Sequence, residues 1–167
     1  FAKLLDGANM IGNARHPRGS QWLNFVRVLN QRWAYGNIVL MGDAAHTAHF
    51  SIGSGTKLAM EDAIALSSAF EKRLGDGIPA VLAEYESARR LDVLKVQRAA
   101  QTSLEWFENS RRYLKQDPLE FTFNLMTRSK RITYDNLALR DPALVARVRD
   151  EFARRASAQP ERDGSGP

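Results

Sequence analysis

Residues 38–62 constrain this chain more than any other stretch. Ile38-Val39-Leu40-Met41 is a short, wholly apolar run that ends in Gly42-Asp43. Such a run suits a buried strand of a parallel sheet. It puts Asp43 at the carboxyl edge of that strand, where ligands of open α/β sheets bind. A carboxylate there accepts hydrogen bonds from the hydroxyls of a sugar or polyol, and the small Ala44 and Ala45 let a ligand approach the backbone. Residues 44–54 show little periodicity. Gly53-Ser54-Gly55 then leads into a helical pattern from Thr56, with Leu58, Ala59, Ala63, Leu66 and Phe70 at helical spacing. The unpaired N–H groups and the dipole of a helix start favour negative charge. A carboxylate for hydroxyls and a helix end for an anion, one loop apart, suit a long cofactor carrying both features.

The rest of the chain frames this segment. Within residues 19–32, alternation places Trp22, Asn24, Val26 and Val28 on one side of a strand and Leu23, Phe25 and Arg27 on the other. Neither side is cleanly polar, so the strand is expected to be covered on both faces. Gly36-Asn37 punctuates a turn, and Gly75-Asp76-Gly77 stops the first helix. Ile78-Pro79 opens a second, proline suiting the first turn. It is expected to run to about Lys115, burying Val81, Leu82, Tyr85, Ala88, Leu91, Leu94, Ala99, Leu104 and Phe107. Asp117-Pro118 breaks the pattern, residues 119–130 can form another helix, and Asp141-Pro142 starts a last one over 142–156. Residues 157–167, rich in Pro, Gly, Ser and charge, read as a disordered tail. Trp106, Phe107, Phe121 and Phe123 read as core or subunit contact.

Composition removes several classes. With 167 residues and 44% hydrophobic content, the chain can build a core. No apolar run reaches the length of a membrane span, and the N-terminus lacks the pattern of a secretory signal. The absence of cysteine excludes disulfides, thiolate metal sites and a cysteine nucleophile, and with three histidines no metal site is expected. A cytoplasmic location fits. The net charge of +5 reads first as a solvated surface, and no nucleic-acid module is recognisable.

Residues Gly42-Asp43-Ala44-Ala45-His46, with Gly55 and Asp62 following, resemble the second FAD fingerprint of the class A flavoprotein aromatic hydroxylases, the group that includes p-hydroxybenzoate hydroxylase. Asn30-Gln31-Arg32-Trp33, residues 49–57 and residues 127–136 are similar to a branch that hydroxylates aromatic CoA thioesters, typified by salicyloyl-CoA 5-hydroxylase and 2-aminobenzoyl-CoA monooxygenase. The resemblance covers roughly residues 3–155. It implies an α/β fold, the C-terminal part of a p-hydroxybenzoate hydroxylase-like FAD-binding fold, here mostly α-helical with a few strands. In that frame residues 1–35 end a substrate-domain sheet, 36–75 complete the FAD-binding domain, and 76–156 form a helical region.

The same resemblance implies FAD as cofactor, with NAD(P)H and O2 as co-substrates and an aromatic substrate, an acyl-CoA being one expectation. Gly42, Asp43, Ala44, Gly53, Ser54, Gly55, Thr56 and Lys57 are the cofactor-binding candidates. Asp43 would bind the ribityl chain, and backbone N–H groups near Gly55, Thr56 and Lys57 would face the flavin pyrimidine edge. The Lys57 side chain itself reads as exposed. His46 reads as a hydrogen-bonded structural residue. Many family members carry proline where this chain has His49 and Phe50, so these two are candidates for the substrate side of the flavin. Arg111, Arg112, Lys115, Arg128, Lys130 and Arg131 are candidates for CoA phosphates, against the alternative of a solvated helix face.

The Gly-x-Gly-x-x-Gly fingerprint and the middle Asp-Gly motif of the family are absent from the chain. They are expected upstream, in a missing N-terminal FAD-binding portion, and this chain alone is expected to be inactive. A homodimer is a further expectation. The rival reading is a catalytically silent helical module that docks on a partner or dimerises through the amphipathic region at 80–115.

Overall fold

The computed structural model describes residues 6–7 and 24–158. The order of elements is β1 (Ala34–Tyr35), β2 (Ile38–Val39), α1 (Gly55–Arg73), α2 (Ile78–Glu108), α3 (Pro118–Thr127), α4 (Tyr134–Arg140) and α5 (Pro142–Ala158). Among the described residues the chain is therefore mostly helical. β1 and β2 pair antiparallel, Ala34 opposite Val39 and Tyr35 opposite Ile38. Gly36 supplies the left-handed backbone of the turn between them, at φ 58°.

Two strand expectations need correction. Residues 38–41 do not enter a parallel sheet among the described residues; they form the second arm of a short hairpin, and Ile38 is exposed. Residues 24–32 form no strand ladder. A single antiparallel bridge joins Leu29 to His46, and Phe25, Val26 and Leu29 face outward. Trp22, Leu23 and the earlier part of that run lie outside the described residues. Alternation identifies an extended backbone, but a ladder needs a neighbouring strand, and here side-chain amides serve instead.

The core lies between α1, α2 and the segment running from Trp33 to Ala48. Trp33, Ala45, Leu58, Ala69, Val81, Tyr85 and Val93 are buried together, with Val39, Leu40 and Met41 packed against them. The 3-10 turn Leu74–Asp76 and Gly77, at φ 88°, reverse the chain between the two helices. Pro79 then occupies the first turn of α2, where its missing N–H has no helical partner to lose.

The buried face of each long helix differs from the one that hydrophobicity alone selects. On α1 it runs through Leu58, Asp62 and Ala69, while Ala63 and Phe70 are exposed. On α2 it runs through Val81, Leu82, Tyr85, Arg89, Val93, Gln97, Ala100, Ser103 and Trp106. Leu91, Leu94 and Phe107 are exposed instead. Arg89 and Gln97 take these places because each finds buried hydrogen-bond partners.

α2 ends at Glu108, short of Lys115. Asn109 caps it, both its backbone N–H and its side-chain Nδ2 donating to the Glu105 carbonyl, the latter at 2.7 Å. Asp117 starts α3 by accepting from the N–H groups of Leu119 and Glu120, at 2.9 and 3.1 Å. α3 stops at Thr127, before a turn in which Lys130 adopts φ 59°. α4, a short helix that no hydrophobic periodicity marks, is capped by Thr133, which accepts from the Asn136 N–H. α5 extends through Ser157 and Ala158, two residues assigned to the tail; residues 159–167 lie outside the described residues. Leu137, Val145 and Val148 are buried between α4 and α5. No helix among the described residues is long and apolar enough to cross a membrane.

Candidate functional site

The loop between β2 and α1 is organised from within by Asp62. This carboxylate is fully buried, on the second turn of α1. Its Oδ2 accepts from the Gly42 N–H at 2.9 Å and bonds His46 Nε2 at 2.8 Å. Its Oδ1 accepts from Arg89 Nε at 2.9 Å. Arg89 also donates to Glu61 at 3.0 Å. A buried carboxylate is tolerated when charge and hydrogen bonds compensate it, and Asp62 has both. Burial acts to lower the Arg89 pKa, but the hydrogen bonds and charges of Asp62 and Glu61 outweigh it, and the guanidinium is held above its ordinary value. The Lys57 hydrogen bond leads in holding the Glu61 carboxyl below its ordinary value.

Geometry requires glycine at position 42. Its φ is 54°, and a Cβ there would meet the Ala59 Cβ at 3.2 Å. α1 packs directly on the turn, so a larger residue would need Ala59 to give way by a few tenths of an ångström as well as a left-handed backbone. His46 is buried, leans on the Trp33 ring at 4.9 Å, and bonds Asp62. That is the structural role expected of it. With a proton on Nε2 for Asp62, Nδ1 is the acceptor side of the ring, and it has no partner among the described residues.

The buried side of the loop is tied down by other side chains. Asn30 Nδ2 donates to the carbonyls of Ala44 and Ala45 at 2.8 and 2.9 Å. Gln97 Nε2 donates to those of Val28 and Thr47 at 3.0 and 2.9 Å. Tyr85 Oη donates to the Leu40 carbonyl, and burial, with the nearby Asp62 charge, raises its pKa.

The outer side is left open. Asp43 lies in the 3-10 turn Gly42–Ala44, is exposed, and its carboxylate has no hydrogen-bond or ionic partner among the described residues. Ala44 beside it is exposed too. Gly53 adopts φ 62° and reverses the loop into the start of α1. Ser54, buried, precedes the helix and offers no side-chain cap. The first helical bond there runs from Leu58 N–H to the Ser54 carbonyl, so the N–H groups of Gly55, Thr56 and Lys57 have no acceptor within the helix. The Lys57 side chain is exposed and pairs with Glu61.

His49 and Phe50 lie on the same loop, with ring centroids 4.3 Å apart. His49 Nδ1 accepts from the Ser51 N–H at 3.2 Å. Phe25 meets both rings edge-on, at 5.6 and 5.4 Å. The predicted residues 42–44, 49, 50 and 53–57 thus lie along the loop between β2 and α1 and the first turn of α1. Sequence reasoning missed Arg89, Gln97, Asn30 and Phe25. Arg89 and Gln97 share the helical register of Tyr85 and Val93, a signal that becomes visible once polar residues are allowed on a buried face.

Residues 9–100 match a family model described as an FAD binding domain. The chain is 42% identical, over 96% of its length and 30% of the relative's, to salicyloyl-CoA 5-hydroxylase from a Streptomyces species. It is also 42% identical, over 83% of its length and 36% of the relative's, to 3-hydroxy-4-methyl-anthranilyl-(aryl-carrier protein) 5-monooxygenase from Streptosporangium sibiricum. Protodeoxyviolaceinate monooxygenase of Chromobacterium violaceum is 35% identical over 67% of the chain and 30% of its own length. The chain thus spans about a third of the length of these relatives. No solved structure matches. On the family match, which spans more than half of its length, the chain belongs to the FAD binding domain family.

Proposed function

We propose that the whole protein is an FAD-dependent aromatic hydroxylase using NAD(P)H and O2, and that this chain supplies the half of the FAD site facing the ribityl chain and the flavin ring. One observation carries the reading: on the open outer side of a loop whose inner side is bonded to protein, the exposed carboxylate of Asp43 has no partner among the described residues. A bound polyol would satisfy it. The open N–H groups of Gly55, Thr56 and Lys57 fit the electron-rich pyrimidine edge of a flavin by the same reasoning. In this reading residues 36–75 complete the FAD-binding domain of a p-hydroxybenzoate hydroxylase-like fold and 76–156 form an accessory helical region. Residues 1–35 then belong to the end of the substrate-domain sheet. The family match disfavours the rival reading of a silent helical docking module.

FAD, when bound, supplies the oxygen-transfer chemistry, and the chain's residues hold and orient. Asp43 accepts from ribityl hydroxyls. The Asp62 network keeps the loop backbone fixed. Phe25, His49 and Phe50 present an aromatic wall on which a substrate ring packs. The substrate is an aromatic acyl thioester. Two relatives at 42% identity support this, one named for a CoA substrate and one for an acyl group on a carrier protein.

The test uses the full-length protein. Asp43→Ala removes hydrogen bonds to a charged group, worth about 1.5–3 kcal/mol. FAD affinity should fall roughly 10- to 150-fold on that figure, read from flavin absorbance after dialysis, with the melting temperature of the apoprotein unchanged. Undiminished FAD content in the variant overturns the assignment of Asp43. Coupled NAD(P)H consumption driven by free aromatic acids and not by their thioesters overturns the substrate class.

A further inference from the structure

The face of α2 that turns away from the Asp62 network carries Leu91 and Leu94, both exposed. With Lys95 and Arg98 they form one wall of a groove of about 440 Å³, whose other wall is residues 129–131. That volume falls within the ordinary range for small-molecule sites, about 300–1,000 Å³. On the other side of the same turn, a second hollow of about 310 Å³ is lined by Arg128, Arg131 and Arg140 with Ile52 and Ile132. The two share Ser129 and Arg131.

The charge here is unbalanced. No aspartate or glutamate lines either hollow. Lys95 pairs with Asp92, but among the described residues Arg98, Lys130, Arg131 and Arg140 have no carboxylate within ion-pair distance. Arg73 pairs with Asp76, Arg90 with Glu86, Arg154 with Glu151, and Arg155 with Asp117 and Glu120. Arg27, Arg32, Arg111, Arg112 and Arg147 are exposed without such a pair among the described residues, but only the group at 98 and 130–140 gathers around one turn and its two hollows. Clustered positive charge without counter-charge, around an apolar floor, calls for an anion that also has a flat apolar part.

The turn that makes the second wall is strained and anchored. Lys130 is held at φ 59°, a conformation that disfavours residues with a Cβ. Arg128 holds one side of the turn by donating to Ser103 Oγ at 3.0 Å and to the Ser51 carbonyl at 2.9 Å. Arg131 holds the other, donating to Ser54 Oγ at 3.0 Å. Ser51 and Ser54 belong to the loop proposed to face the flavin. The basic groove therefore adjoins that loop directly, and one extended molecule can occupy both.

Building on the thioester reading above, we propose that this groove binds the phosphorylated adenosine end of an aromatic acyl-CoA. The adenine packs on Leu91 and Leu94, the phosphates meet Arg98, Lys130 and Arg131, and the pantetheine arm leads past the 128–131 turn and the second hollow, where Arg140 stands, toward His49 and Phe50. Of the basic residues singled out in the sequence, Lys130 and Arg131 line the groove, with Arg98 added from α2, while Arg128 and Arg140 line the second hollow.

The probe is 3′,5′-ADP, the nucleotide end of coenzyme A without its outer 5′-phosphate and arm, titrated calorimetrically into the full-length FAD-loaded protein at low salt. Binding is expected, weakening as salt rises. Arg98→Ala and Lys130→Ala, neither of which touches the flavin-facing loop, should each weaken it about tenfold. Arg98→Lys should retain most of it. The same two alanine variants should raise KM for the thioester with kcat and the flavin spectrum unchanged. Absence of 3′,5′-ADP binding, binding indifferent to both substitutions, or equal binding of 2′,5′-ADP and inorganic pyrophosphate overturns the proposal, the last marking a nonselective anionic surface. Because the probe carries no acyl group and no turnover is needed, its failure stands apart from that of the hydroxylase reading, which is judged by FAD content and coupled NAD(P)H consumption.

Discussion

Asp62→Asn isolates the interaction on which the site's geometry rests. The substitution preserves shape and removes charge. Oδ2 serves Gly42 N–H and His46 Nε2, so the new amide keeps its oxygen there. Its NH2 then lies where Oδ1 accepted Arg89 Nε, donor against donor. Arg89, 7% exposed, keeps only Glu61 as an ionic partner among the described residues. Removing one partner of a buried pair costs about 3–5 kcal/mol. Glu61 survives and is partly hydrated, so the lower end applies, about 3 kcal/mol. For a domain of this size that corresponds to a fall in melting temperature of roughly 6–12 °C. The assay is chemical denaturation of the wild type, Asp62→Asn, Arg89→Met and the double variant. The double variant removes both charges and should be less destabilised than the sum of the single changes by at least about 1 kcal/mol. A loss below about 0.5 kcal/mol in Asp62→Asn, the range of ordinary surface changes, would refute the reasoning. So would strict additivity in the cycle.

Three further outcomes are expected. Gly42→Ala combines a left-handed φ with a Cβ contact at 3.2 Å, and should cost about 2 kcal/mol or more; denaturation measures the loss, and lower FAD content should accompany it. Gln97→Leu leaves the Thr47 carbonyl without its donor and loosens the Val28 carbonyl, a loss of about 1–3 kcal/mol that hydrogen exchange should locate in residues 24–48. In the folded protein, burial acts to raise the Glu86 pKa, but hydrogen bonds from Arg90 and the Trp33 N–H hold it below its ordinary 4.5. A depressed folded pKa contributes stability that is present above pH 4.5 and lost as pH falls through the folded value. Glu86→Gln should therefore flatten the acid limb of stability against pH below 4.5, and an unchanged limb would exclude this contribution.

Much of the site was legible because its signals are local. Gly42, Gly53 and the helix start near Gly55 are dictated by backbone geometry over a few residues, and glycine marks such places. Asp141-Pro142 declared a helix start, and Asp117-Pro118, which the sequence marks as a break, also caps α3. The family resemblance rested on the same short segment.

What the sequence could not decide was which residues face one another. Hydrophobic periodicity assigned Leu91 and Leu94 to the core. The tertiary structure exposes them and buries Arg89 and Gln97, because a buried polar group is stable only where a partner 27 to 69 residues away meets it. No one-dimensional pattern contains that pairing. Extended runs 24–32 and 38–41 were recognisable as extended, but their neighbours were not, since a ladder belongs to two segments at once. The convergence of Arg98, Lys130, Arg131 and Arg140 around one turn is of the same kind. From its own local chemistry the sequence determined a glycine loop with an outward carboxylate ahead of a helix. The fold alone decided that Asp62 and Arg89 hold that loop rigid, and that uncompensated positive charge stands beside it.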